Sequence, residues 1–231
     1  MIIYHKDLIQ GSEAWHAARC GLLTASEIKL ILTPTLKVAS NEKERAHLYE
    51  LLAQRVTRYV EPAYVSSDML RGQEDEIDAR ALYNKLYQPV QDVGFVTNDK
   101  WGFTIGYSPD GLVGDDGLIE AKGRCGKYQA QTIIENIGAD RGETIPQEFI
   151  LQCQTGLLVT ERKWIDFISY CGGMPMAVIR VLPMPVVQVA IIEAASAFES
   201  RLATKMALYH ATVESAKLPP TERRIEQEMY T

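Results

Sequence analysis

The apolar positions change period several times along the chain, and each change predicts an element. Residues 12–19 read as a short amphipathic helix, capped by Ser12 and with Trp15 on the buried side. A second helix starts after Thr24 and stops at Pro34. Glu27 stands three residues past Thr24, the spacing of a capping box. Over 41–59 Leu48, Leu51, Leu52, Val56 and Tyr59 recur at helical spacing, and over 67–86 Ile77, Ala81 and Leu82 share a face opposite the charges. The period then shortens. Segments 90–97, 102–107 and 118–122 are rich in β-branched and aromatic residues and are separated by Asn-Asp and Gly-Asp-Asp-Gly turns, as in consecutive strands of an antiparallel sheet. Helices return at 128–136 and 146–160, and strands at 163–170 and 176–182. A long helix over 187–213 aligns Val187, Ile191, Ala194, Phe198 and Leu202. The order predicts a mixed α/β (α+β) fold in one domain, 1–231, with a central mixed β-sheet flanked by helices. Only 217–231, which opens on Pro219-Pro220 and turns polar, reads as a flexible tail.

Composition narrows the class. With 231 residues, 46% of them hydrophobic, the chain can bury a sizeable core without staples. The N-terminus lacks the apolar stretch of a signal peptide. No run approaches the roughly 20 apolar residues of a membrane helix; the longest, 177–190, is broken by Pro183 and Pro185. The expectation is a cytoplasmic protein with no membrane partner. Cys20, Cys125, Cys153 and Cys171 are scattered singly, which predicts free thiols rather than a disulfide framework or a zinc site.

The net charge of −6 excludes broad electrostatic attachment to nucleic acid. That acid is concentrated: residues 61–160 hold 16 acidic and 8 basic side chains, against 6 and 8 in residues 1–60. Within the acidic middle, Ser108-Pro109-Asp110-Gly111-Leu112 is followed, after a turn, by Gly117-Leu118-Ile119-Glu120-Ala121-Lys122. On a strand, i and i+2 share a face, so Glu120 and Lys122 point the same way and the hairpin returns Asp110 towards them. Two acids and an ammonium in one place raise the cost of ionising both acids, which a hard divalent cation removes. This is the Pro-Asp … Glu-Xaa-Lys arrangement of a nuclease core. A solvated hairpin with a surface ion pair fits the same residues. Glu74, Asp75 and Glu76 crowd one helical turn, as a solvated face would. Gln152 and Gln154 interrupt an apolar stretch, where a glutamine needs a hydrogen-bond partner, in a site or in a core network.

Five segments together resemble the lambda-exonuclease type (YqaJ-like) of viral recombination nucleases, within the PD-(D/E)XK superfamily. They are Ala14-Trp15-His16 leading to Arg19 through Glu27; Gly72 through Glu76 with Asp78-Ala79; Ser108 through Leu112; Gly117 through Lys122; and Gln152-Cys153-Gln154 running to Thr160. The resemblance implies that Asp110 and Glu120 ligate metal with the Ala121 carbonyl, and that Glu76 serves a second ion. It makes Lys122 the residue that orients or deprotonates the attacking water, and Gln152 a holder of that water or of the metal's surroundings. Arg19 and Ser26 would grip a 5′-phosphate, in keeping with guanidinium forks and helix N-termini as anion sites. Met69 or Leu70 would part the strands. The implied cofactor is Mg²⁺, two per site, with Mn²⁺ as a substitute. The implied activity is 5′→3′ degradation of one strand of double-stranded DNA from its ends by a homotrimeric ring, with a single-strand annealing protein as partner. A restriction-like or structure-selective endonuclease on the same core, and a non-catalytic DNA-end or partner-binding module, are the competing readings. The chain departs from the family where Lys122-Gly123-Arg124 lacks a following Cys-Pro, and it matches little after Val187.

Overall fold

The computed structural model describes residues 1–62, 67–138 and 144–223. Its strands, in chain order, are β1 (Ile2–His5), β2 (Leu23–Thr24), β3 (Val90–Gln91), β4 (Phe95–Asn98), β5 (Ile105–Tyr107), β6 (Gly111–Val113), β7 (Gly117–Gly123), β8 (Trp164–Tyr170) and β9 (Ala177–Val181). The helices are α1 (Glu13–Arg19), α2 (Ile28–Ile31), α3 (Glu42–Thr57), α4 (Ser67–Leu86), α5 (Gly126–Gln131), α6 (Gln147–Thr160) and α7 (Pro185–Ser215). A 3-10 turn precedes α2, and a π-helical segment, Thr132–Ile137, continues α5. The fold is mixed α+β, as the periodicities predict.

The strands do not make one antiparallel meander. They divide into a four-stranded sheet, β1-β4-β5-β2, and a five-stranded sheet, β3-β6-β7-β8-β9. Each contains a parallel pair, β2 with β5 and β7 with β8. The single strand expected over 90–97 is cut between them: β3 joins β6, while β4 lies between β1 and β5. The cut falls at Gly94, where a Cβ would stand 1.9 Å from the Leu8 carbonyl oxygen, so the N-terminal loop crosses the chain there. The four-residue β1 and two-residue β2 lie at the sheet's outer edges, and neither is marked by an alternating run.

Side-chain alternation on β7 assigns its two faces. Leu118 joins the main core, which also holds Leu23, Ile28, Leu157, Phe167 and Phe198. Ile119 and Ala121 join a smaller core beneath α4, with Ala79, Tyr83, Val113 and Ile168. Helix α4 comes very close to the strand: a Cβ on Gly123 would lie 2.9 Å from Asp75 Cβ and 3.0 Å from Gly72 Cα. Behind this contact the Tyr83 hydroxyl donates to Asp166 Oδ2 at 2.6 Å, and Arg180 from β9 forks onto both Asp166 oxygens at 2.8 and 2.9 Å. Helix α3 is tied to α7 by the Arg55–Glu199 fork and by Arg201–Glu44. The apolar stripe of α7 is as its spacing predicts, and its buried residues stop at Leu202.

Asp166 is the acceptor common to a buried phenol and a half-exposed guanidinium. Asp166→Ala strands the phenol and is expected to cost about 2–3 kcal/mol of stability, whereas Tyr83→Phe, which leaves the ion pair intact, costs about 1. Urea unfolding of the two variants checks the difference.

Candidate active site

Glu120 stands at the centre of the site with 1% of its side chain exposed. Lys122 Nζ lies 2.6 Å from its Oε1, on the same face of β7. Gln152 Nε2, from α6, donates to that same oxygen. The Tyr107 hydroxyl, from the end of β5, donates to Oε2 at 2.7 Å. The β6–β7 hairpin pairs Gly111 with Ile119, which leaves Asp110 just beyond the pair, and its Oδ2 accepts the Ala121 N–H at 2.7 Å. Gln154 has no part in this: its side chain bonds the Leu182 carbonyl and the Met184 N–H at the entry to α7.

Asp110 and Glu76 do not ionise freely. Burial raises Asp110 well above the ordinary carboxylate range, and Glu120 and Glu76 push the same way against Lys122 and the Ala121 N–H. Burial also raises Glu76, with Lys122 opposing and Glu120 and Asp75 adding to the rise. For Lys122 burial alone would lower the ammonium, but the three carboxylates Glu120, Asp110 and Glu76 outweigh it and the net shift is upward. The three acids and the lysine therefore act on one another, although they come from one strand, the link before β6 and a helix.

They do not form a finished cation cage. Among the described residues no three His, Cys, Asp or Glu side chains are grouped closely enough to hold a metal ion. Two features account for this. Protein donors already occupy both Glu120 oxygens, and α4, the helix that carries Glu76, packs on the face of β7 opposite Glu120 and Lys122. The donor set nevertheless suits a hard divalent cation. It is all oxygen, and Asp110 and Glu76 are raised first by burial and then by neighbouring carboxylates, a cost that a cation would relieve.

A second polar strip adjoins the first. The Arg19 guanidinium stacks 4.2 Å from the Trp15 ring centroid, donating to Ser108 Oγ at 3.2 Å and to Thr24 Oγ1 at 3.3 Å. Thr24 Oγ1 is 3.4 Å from Ser26 Oγ, and Ser26 is exposed. The Glu27 carboxylate accepts the Thr24 N–H at 3.0 Å and the Thr24 hydroxyl at 2.6 Å, so Thr24 rather than Ser26 is the N-cap, in the capping box its spacing predicts. Burial lowers the Arg19 pKa, against the pull of Glu27. Ser108 also accepts from the Trp15 indole at 3.0 Å, and Gln10 donates to the Pro109 carbonyl at 2.9 Å. Ser108 and Pro109 thus join the arginine strip to Asp110.

The model of the YqaJ-like viral recombinase domain matches residues 14–163. The chain belongs to that family. This YqaJ-like chain is also similar to a solved alkaline exonuclease, LHK-Exo, from Laribacter hongkongensis. Identity is 30% and the TM-score 0.73, over 90% of this chain and 100% of that one. The structure of LHK-Exo in complex with dAMP matches at 31% identity with the same TM-score and coverage. A phage-related exonuclease from Haemophilus somnus 129PT shares the fold at 11% identity and TM-score 0.55, over 80% of this chain and 96% of that one. No curated protein matches the sequence.

Spacing brings Asp110, Glu120 and Lys122 together, Gln152 joins them as the resemblance implies, and Glu76 acts on them electrostatically. Arg19 and Ser26 are linked through Thr24. Leu70 is 53% exposed on α4, and the Met69 side chain lies outside the described residues. Tyr107, Ser108, Trp15 and Thr24 were not among the predicted site residues. Tyr107 and Ser108 directly precede Pro109-Asp110, and that adjacency is the signal that could have found them. All four cysteines are free, and no helix of the described residues is long and apolar enough to cross a membrane.

For the raised Asp110, the unfolded chain releases its proton first as pH rises, so folding stability falls above the ordinary Asp pKa. Asp110→Asn keeps an acceptor for the Ala121 N–H and removes that loss. Without divalent cations the variant is expected to melt above wild type at pH 8, by an amount that vanishes below about pH 4. Added Mg²⁺ is expected to raise the melting temperature of wild type and not of the variant.

Proposed function

We propose that this chain is a metal-dependent 5′→3′ exonuclease that degrades one strand of linear double-stranded DNA from a 5′-phosphorylated end. The observation that carries the reading is the direct bond from Arg19 to Ser108, two residues before Asp110. It ties the guanidinium that would grip the phosphate to the short piece of chain that carries an acid of the nuclease motif. The kinship with LHK-Exo, a protein named as an alkaline exonuclease, supports it.

Asp110, Glu120, the Ala121 carbonyl and Glu76 are the residues that would hold divalent cations, two Mg²⁺ per site or Mn²⁺ in their place. When bound, such ions supply charge neutralisation and Lewis-acid polarisation of the phosphate. The chain's own residues do the rest. Arg19, with Ser26 beside it, takes the terminal 5′-phosphate, since a planar guanidinium forks onto phosphate oxygens. Gln152 and Tyr107 fix the Glu120 carboxylate by bonding its two oxygens. Lys122, held protonated by three acids, orients the attacking water and steadies the negative charge that grows on the phosphate. Water adds at phosphorus and the P–O3′ bond breaks. One nucleotide leaves, and the shortened strand again ends in a 5′-phosphate for Arg19. Leu70, or Met69 before it, is the residue proposed to part the strands. A homotrimeric ring would retain DNA that an acidic surface does not hold, and a single-strand annealing protein would take up the exposed strand in phage-type recombination, in the cytoplasm.

The test is digestion of linear 5′-phosphorylated duplex and of closed circular DNA with Mg²⁺. Wild type is expected to consume only the linear substrate, and Lys122→Ala to lower kcat by about 10²–10³-fold. Arg19→Ala should lose the preference for phosphorylated over hydroxyl ends, worth about tenfold or more. Cutting of circles, or activity surviving Lys122→Ala, would overturn the reading.

A further inference from the structure

Arg124 is unexplained by the site described so far. Its backbone N–H continues the β7–β8 ladder by donating to the Tyr170 carbonyl at 2.6 Å, and strand alternation puts it on the face of Glu120 and Lys122. The opposite wall is α6. There Gln152 lies over Glu120, and one helical turn earlier Glu148 lies over Arg124, with Nη1 3.1 Å from Oε1. The two walls therefore continue past the catalytic lysine as one groove.

The guanidinium is built in but poorly satisfied. Its side chain is 10% exposed, and its centre lies 4.9 Å from the Phe149 ring centroid and 5.2 Å from that of Tyr128. Nε is buried with no partner, and among the described residues only Nη1 has an acceptor. That acceptor, Glu148, is 56% exposed, and a pair with one solvated member contributes little. It is too little to account for burying an arginine between two rings. Beside Arg124 and Glu148 opens a cavity of about 530 Å³, lined also by Asn136, Gln147 and the Gln131–Glu135 pair, in which Gln131 Nε2 donates to the carboxylate at 2.8 Å.

We propose that Arg124 binds the DNA phosphate one linkage to the 3′ side of the scissile phosphate, with Glu148 as the carboxylate that this phosphate displaces. The inference rests on the nuclease reading above, which gives the 5′-terminal phosphate to Arg19 and the scissile one to Lys122. Two strand residues advance about 6.4–6.8 Å, comparable with the step from one phosphate to the next along a DNA strand. Arginine rather than lysine suits the position, because a flat cation clamped between rings loses little freedom when it forks onto a phosphate. The contact carries no base information, so it acts on every DNA sequence alike.

Binding to linear 5′-phosphorylated duplex, measured with Ca²⁺ in place of Mg²⁺ to suppress cleavage, tests this separately from catalysis. Arg124→Ala is expected to weaken binding about tenfold and to flatten the salt dependence by about one phosphate contact. Glu148→Gln should tighten binding several-fold by releasing the guanidinium, a gain that a damaged fold cannot produce. A methylphosphonate at the second linkage from the 5′ end should weaken wild type about tenfold and Arg124→Ala no further. Persistence of that penalty in Arg124→Ala, or no tightening in Glu148→Gln, overturns the proposal. Failure of the nuclease reading would show separately, as digestion that does not depend on Lys122.

Discussion

A buried carboxylate has to find hydrogen-bond donors, and Glu120 finds them in three separate parts of the fold. Tyr107 belongs to the four-stranded sheet, Lys122 to the same strand of the five-stranded sheet, and Gln152 to the helix that covers both. Burying a charge without such donors costs several kcal/mol. The two sheets and α6 can therefore come together only in an arrangement that completes this carboxylate. The functional cluster and the packing of the domain are in this sense one set of contacts. On the proposed reading, the carboxylate at the centre of the chemistry is also one that ties the layers together.

Much of this was legible in the residues, for identifiable reasons. Strict i, i+2 spacing on a strand put Glu120 and Lys122 together, and the short Gly-Asp-Asp-Gly turn returned Asp110 to them. The long helices α3, α4, α6 and α7 follow from sustained 3.6-residue periods. What was not legible depended on contacts distant in sequence. Nothing in 90–97 announces that Leu8 will cross at Gly94 and divide the run between two sheets. The strands β1 and β2 are too short and too near the edge to show a period. Gln152 and Gln154 are equivalent by sequence, and only the Leu182–Met184 backbone, which claims Gln154, separates them. The face on which α4 would settle was equally hidden.

The departure at Lys122-Gly123-Arg124 gains a physical meaning on both sides of the lysine's neighbour. Gly123 leaves room for α4, because any side chain there would press on Asp75 and on the Gly72 backbone. Arg124 turns to the other face and extends the groove. One dipeptide thus serves the packing of the acid-bearing helix and, on the proposed reading, the path of the DNA. The Asp166–Tyr83 bond holds the same helix two turns further on, so α4 is fixed at both ends of its contact with the sheet.

The short link Ser108-Pro109-Asp110 has a further consequence. Ser108 is held by the indole and the guanidinium, Pro109 by Gln10, and Asp110 by the Ala121 amide. On the proposed reading, the gap between end-recognition and hydrolysis is spanned by this short link, with a proline's restricted torsion inside it. If the terminal phosphate sits at one end of that gap and the broken bond at the other, the backbone itself acts as a ruler. The size of the released piece is then a stored dimension of the chain rather than an outcome of how tightly the DNA is held.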